Sequence, residues 1–354
     1  MTNQLLRVGD RAIGPGRPCF VVAEVSANHN HSLDRAVAII RAAAKAGADA
    51  VKLQTYTADT LTIDSDREWF KVPGNTLWGG RTLHQLYSEA YTPWEWHEEL
   101  FRVARAERLE CFSTPFDSTA VAFLESLGSP VHKVASFELV DTPLLETIGH
   151  TGKPVIASVG MATQEEITEA LSALRRSGAG PIALLKCTSA YPASPESMNL
   201  RTIPDLRDRF GVVSGLSDHT MGSAVAVAGV ALGAAIIEKH FTLSRADGGP
   251  DSAFSMEPAE FARMVTDIRL AEKALGRVSY ERTPDEEASL CFRRSLFVVA
   301  NVRAGEPFTA ANVRSIRPGH GLSPRLLPDV LGLVAARDIP SATPLSWDLV
   351  RRIP

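Results

Sequence analysis

Eight short β-rich apolar runs recur along the 354-residue chain, at residues 20–25, 50–54, 110–114, 131–136, 154–159, 181–187, 212–216 and 235–239, with helical stretches between them. That alternation is the signal of parallel strands joined by crossover helices, and it narrows the fold more than any other feature. Eight such units predict an α/β fold of the (β/α)8 TIM-barrel type. A doubly wound open sheet is the alternative, disfavoured because no glycine-rich dinucleotide fingerprint follows the first run. The helices can be tested by period. After the N-cap residue Ser32, the residues Leu33, Ala36, Val37, Ile40 and Ala44 form one apolar stripe, which Gly47 stops. In the last barrel helix Pro258 sits near the first turn, Phe261, Met264, Val265, Ile268 and Leu275 share a face, and Gly276 closes it.

A barrel needs about 250 residues, so this chain has room for a small second domain. The expected boundaries are 1–280 for the barrel, 281–293 for a polar linker containing Pro284, and 294–354 for a compact, proline-rich, loop-rich domain with strand-like runs at 295–299 and 313–316. One connection, residues 56–109, is too long for a simple loop and holds Trp69, Trp78, Trp94 and Trp96. A long insertion of this kind is expected to form a lid or binding wall. Net charge of −4 argues against nucleic acid as the main partner. The longest apolar run, 224–237, falls short of the roughly 20 residues that span a bilayer. With no signal-peptide pattern at the N-terminus and four scattered cysteines (Cys19, Cys111, Cys187, Cys291), each read as a buried small hydrophobe, the expected location is cytoplasmic.

In barrel enzymes chemistry sits at the C-terminal mouths of the strands, and every run here delivers polar residues to its mouth. They include Glu24, Lys52, Gln54, Thr114, Lys133, Ser136, Ser158, Ser189, Tyr191, Ser217, Asp218, His219, Glu238, Lys239 and His240. Lysines facing a barrel interior are costly to bury unless they meet anions, so Lys52 and Lys133 imply a negatively charged ligand such as a phosphate with a carboxylate. The hydroxyls of Ser136, Ser158, Ser189 and Ser217 could complete the anion cradle. Two rival readings stay open: a structural ion pair with a residue such as Glu24, and a Schiff-base role for Lys133. His219 and His240, at the ends of adjacent strands, can converge on one divalent cation, with Glu24 and Asp251 nearby, directly or through water. Asp251, in a glycine-rich stretch, is equally readable as a turn residue.

The segments AEVSANHN (23–30), VKLQTYTADTLT (51–62), FSTPFD (112–117), HKVASFE (132–138), LLKCTSAYP (184–192), GLSDHT (215–220), IEKHFTL (237–243) and GGPDSAFS (248–255) resemble the sialic acid synthase family. FRRSLFVV, SIRPGHGL and TPLSWDLV in the C-terminal region resemble that family's antifreeze-like (SAF) domain. The resemblance implies a metal-dependent condensation of phosphoenolpyruvate with a sugar aldehyde. Lys52, Lys133, Ser136, Ser158 and Ser217 would grip phosphoenolpyruvate, His219 and His240 would hold Mn2+ or Mg2+, and Glu24 would touch a metal-bound water. Gln54, Thr114, Ser189, Tyr191 and Asp251 would line the substrate site, and Arg317 would reach in from the antifreeze-like domain, in a domain-swapped homodimer. SANHN, the insertion TLWGGRTLHQLYSEAYTPWEWH and ASFELVD resemble the branch acting on a 6-deoxy diacetamido hexose more than those using N-acetylmannosamine or the legionaminate precursor. Ser189 departs from the N-acetylneuraminate synthases, which usually carry Asn there. A metal-dependent aldolase or lyase is the rival from another reaction class.

Overall fold

The computed structural model describes residues 5–74 and 77–352, and its chain divides between Gly276 and Arg277 into two compact units. The first opens with a short antiparallel hairpin, β1 (Leu6–Val8) and β2 (Arg11–Ile13). Eight parallel strands then close a barrel: β3 (Phe20–Glu24), β4 (Ala50–Thr55), β5 (Glu110–Pro115), β6 (His132–Val134), β7 (Val155–Ser158), β8 (Ile182–Lys186), β9 (Val213–Asp218) and β10 (Ile236–His240). Each of the eight expected runs contributes one strand.

Strand alternation divides the apolar residues between two cores. Val21, Ala23, Val51 and Leu53 point outward and pack under Ala36, Ile39, Ile40 and Ala43 of the helix Leu33–Lys45 and Phe261, Met264 and Ile268 of the helix Pro258–Leu275. Their inward neighbours Phe20, Val22, Ala50, Phe112, Ile156, Leu185, Val213 and Ile236 fill the lower barrel together with Leu6, Val8 and Ile13 of the hairpin. The hairpin therefore seals the N-terminal end, and it went unpredicted because three-residue strands leave almost no period to read. Gly215 belongs to the same layer. A Cβ there would lie 2.6 Å from the Ile236 carbonyl oxygen and 2.7 Å from Leu185, so a bare backbone is what fits.

Several local expectations are corrected. Leu275 is exposed, beyond the buried part of its helix, and Cys291 is exposed while the other three cysteines are buried. Of the long connection, His97–Ala106 is the ordinary crossover helix with Leu100, Phe101, Val103 and Ala104 buried, so only the stretch before it is insertion. The four tryptophans separate accordingly. Trp94 stacks on Phe123 at 4.8 Å and Trp96 meets His29 edge-on, both as packing; Trp69 is 86% exposed; Trp78 alone reaches the mouth. Thr76, which opens the family-like insertion motif, lies outside the described residues.

The second unit packs β11 (Ser295–Val298) between β12 (Val313–Ile316) and β14 (Thr343–Pro344), with β13 (Val334–Ala335) paired to β15 (Val350–Arg351). Its own core is Leu296, Val298, Val302, Phe308, Val313, Val330, Ile339 and Leu345. The polar stretch read as a linker contains a capped helix, Pro284–Ala288, in which the Thr283 hydroxyl accepts from the Glu286 amide. Arg317 stands exposed just after β12. Among the described residues, no helix is long and apolar enough to cross a membrane.

Candidate active site

The same alternation that buries the apolar layer turns Glu24, Lys52, Gln54, Thr114, Lys133, Ser158, Ser217, Glu238 and His240 toward the barrel axis at its C-terminal end. Four of them form a buried charged floor. Lys52 Nζ lies 2.8 Å from Glu24 Oε2 and 2.8 Å from Glu238 Oε1, and the Ser217 hydroxyl donates to the same Glu238 oxygen at 3.0 Å. Glu24 Oε1 accepts from the Ser26 amide at 3.0 Å and from Gln54 Nε2 at 3.3 Å. Burial alone would raise the Glu238 carboxyl, but the Lys133 and Lys52 ammoniums outweigh it and hold it well below its ordinary value. Burial lowers Lys52 to about 8 despite Glu238, with Lys133 adding repulsion.

Lys133 is different. It is 1% exposed, yet among the described residues its ammonium donates only to neutral acceptors, the Ser158 hydroxyl at 2.7 Å and the Val134 carbonyl at 2.9 Å. A pair of hydroxyls, Ser136 and Ser189, meets at 2.8 Å. It does so over Gly160, where φ is +44° and a Cβ would fall 2.4 Å from Ser136, so both the turn and the close approach call for glycine.

On the opposite side His219 and His240 face one another with ring centroids 5.4 Å apart. His219 Nδ1 is 2.9 Å from the Thr188 carbonyl, which makes Nδ1 the protonated nitrogen and leaves the lone pair on Nε2. Burial lowers both imidazoles, His240 well below 6.5, with His219 adding to the effect. Burial thus favours the neutral, ligating form of each. No third His, Cys, Asp or Glu joins them in a ligand cluster among the described residues. Glu24 is occupied by Lys52, and Asp251 accepts from the Ser26 hydroxyl, so neither completes a protein cage. The two-imidazole set fits a divalent cation whose remaining positions belong to water and substrate.

Tyr191 roofs the histidines, its ring 4.5 Å from His219, 5.2 Å from Phe254 and 5.6 Å from Trp78, whose indole N–H donates to the Pro250 carbonyl at 2.7 Å. Asp251, half-buried, accepts from the Ser26 hydroxyl, and desolvation raises its carboxyl. Two residues of this mouth carry no assigned role in the sequence reading. Glu238 is expected at its strand mouth together with Lys239 and His240; the period of two on β10 puts Glu238 and His240 inside and Lys239 outside. Glu138 follows β6, and burial pushes it up to about 7; only the loop's conformation turns it inward. Thr114 Oγ1, Glu138 Oε2, Glu238 Oε2 and His240 Nδ1 are all buried without a hydrogen-bond partner among the described residues. Such atoms gathered at one mouth mark a place for ligand.

The NeuB family model matches residues 39–280 and the SAF domain model residues 293–351. A pseudaminic acid synthase of Helicobacter pylori is 44% identical over 337 residues, which cover 95% of this chain and 99% of that one. An N,N'-diacetyllegionaminic acid synthase of Campylobacter jejuni is 35% identical, over 90% of this chain and 96% of the relative. Among solved structures, the N-acetylneuraminic acid synthetase of Leptospira borgpetersenii in complex with citrate aligns with a TM-score of 0.72 at 31% identity, over 81% of this chain and 95% of that one. The chain therefore belongs to the NeuB family and carries a SAF domain after its barrel.

Proposed function

We propose that this chain condenses phosphoenolpyruvate with 2,4-diacetamido-2,4,6-trideoxy-β-L-altropyranose and water to give pseudaminic acid and phosphate. The observation that carries this reading is one mouth that holds both an ammonium, Lys133, with no carboxylate at ion-pair distance among the described residues, and two imidazoles, His219 and His240, with ring centroids 5.4 Å apart. An anion and a cation-assisted electrophile are then served from opposite sides. Lys133, Ser136, Ser158 and Lys52 bind the phosphate and carboxylate, which fixes the enol carbon toward the sugar. His219 and His240 would hold Mn2+ or Mg2+, which when bound polarises the aldehyde oxygen. The C2=C3 π electrons of phosphoenolpyruvate form the bond from C3 to C1 of the open sugar as the aldehyde C=O π bond opens to an oxygen that takes a proton from solvent, leaving an oxocarbenium at C2. Water adds to C2, Glu24 orienting it and accepting its proton, and the tetrahedral centre then releases phosphate by cleavage of its C2–O bond while the new C2 hydroxyl loses its proton to become the carbonyl. Gln54, Thr114, Ser189, Tyr191 and Asp251 line the sugar side. The apolar wall of Trp78, Tyr191 and Phe254 suits a methyl group where other sugars carry a 6-hydroxyl, since the methyl needs no hydrogen-bond partner.

The test is phosphate release with phosphoenolpyruvate and each of three sugars. The trideoxy altrose should be turned over best; N-acetylmannosamine or the legionaminate precursor in first place would move the chain to a sister activity. Excess chelator should stop turnover, and Mn2+ or Mg2+ should restore it. Phosphate-independent cleavage would instead favour a metal-dependent aldolase or lyase.

The SAF domain is assigned the role of closing a partner's mouth with Arg317 in a domain-swapped homodimer. Arg317→Ala and His219→Ala, each inactive alone, should regain roughly a quarter of wild-type activity when co-refolded, because mixed dimers hold one intact mouth. No recovery in mass-confirmed mixed dimers refutes the shared site.

A further inference from the structure

The strands that carry the two histidines hold a second polar pair on their other face. Asp218 and Lys239 are register partners across β9 and β10, as Ser217 and Glu238 are beside them. Alternation sends Ser217 and Glu238 into the mouth and Asp218 and Lys239 out toward the helix layer. There Lys239 is 1% exposed, and its ammonium has three donors and three acceptors: Asp218 Oδ2 at 2.7 Å, the Thr220 carbonyl at 2.5 Å and the Gly222 carbonyl at 3.1 Å. Asp218 Oδ1 accepts from the Thr220 amide at 2.9 Å and its hydroxyl at 2.7 Å. The 218–222 turn is thus tied at three points to the residue that immediately precedes His240. His219 sits within that turn, between two of the tied residues.

A buried ammonium is an expensive way to pin a loop if only stability were at stake, because apolar packing does as well. What it adds is direction: charge-assisted bonds of fixed length set where the turn, and the imidazole on it, must lie. We infer that Lys239 and Asp218 are positioning residues which, from outside the barrel wall, fix the separation and orientation of His219 and His240 for one divalent cation. The inference rests on the proposed function.

The experiment measures Mn2+ binding to the full-length protein by calorimetry, with phosphoenolpyruvate binding and the unfolding midpoint measured on the same samples. Lys239→Met should weaken Mn2+ by about 10- to 100-fold, the usual range for residues that orient metal ligands, while phosphoenolpyruvate affinity without metal stays within about twofold. Asp218→Asn, which keeps the shape, should weaken Mn2+ in the same direction by less. Unchanged Mn2+ affinity in a folded Lys239→Met overturns the inference, as does a parallel loss of phosphoenolpyruvate binding, which marks general collapse. If Lys239→Met does not fold, Asp218→Asn decides, and an unchanged Mn2+ affinity there overturns it. Absence of Mn2+ binding by the wild type sinks the metal reading itself, and this inference with it.

Discussion

Lys52 and Lys133 lie on strands of one barrel, both inward and both buried, yet their surroundings are opposite. Lys52 sits between two carboxylates, Glu24 and Glu238. Lys133 has a hydroxyl and a carbonyl. The first ammonium is neutralised by direct contact with carboxylates and, on the proposed function, meets phosphoenolpyruvate from within that cluster. The second rests on neutral acceptors, acts on Glu238 only at longer range and, on the same proposal, is the freer of the two to face the anion. Residue type and depth do not separate the two lysines; the partners do.

The comparison is most exposed to a pair of identical substitutions. Lys133→Met should lower kcat/KM for phosphoenolpyruvate by about 10³-fold, the scale of losing one charged contact to a reacting anion, with unfolding free energy changed by less than about 1 kcal/mol. Chemical denaturation beside steady-state kinetics gives both numbers, and a large stability loss would put Lys133 with the structural lysines.

Lys52→Met strands two buried carboxylates, so it should destabilise the barrel by about 3–5 kcal/mol as well as impair turnover. A fully stable Lys52→Met would abolish the contrast.

A smaller effect is expected from pH. The Lys52 ammonium is lowered to about 8, so it is charged below that pH and lost as pH rises through it. The kcat/KM for phosphoenolpyruvate should then fall about tenfold per unit above pH 8, since that ratio reports the free enzyme. A flat profile to pH 10 would mean that the carboxylates, and not the substrate, are all that Lys52 serves.

Smallest is Ser158→Ala, which removes one acceptor from Lys133 while keeping the charge. KM for phosphoenolpyruvate should rise roughly fivefold, about 1 kcal/mol, with kcat nearly constant. No change in KM would show that Ser158 neither orients the ammonium nor touches the anion.

Periodicity made much of this protein legible. Short β-rich apolar runs marked all eight barrel strands, the stripe containing Ala36 and Ile40 marked a helix and its buried face, and the mouth rule picked out Lys52, Lys133, Ser158, His219 and His240. These are local properties: which way a side chain points follows from its own strand. Tertiary structure decided everything that depends on who stands opposite. It chose Glu238 as well as Glu24 for Lys52, set Lys133 on a hydroxyl and a carbonyl, and set Asp218 on Lys239. It sent Trp78 to Tyr191 while Trp94 went to Phe123, folded Glu138 inward, and closed the barrel floor with a hairpin too short to show a period. The sequence determined the direction of each chemically active side chain; only packing of strands distant along the chain could decide its partner, because a charge is satisfied through space and not along the backbone.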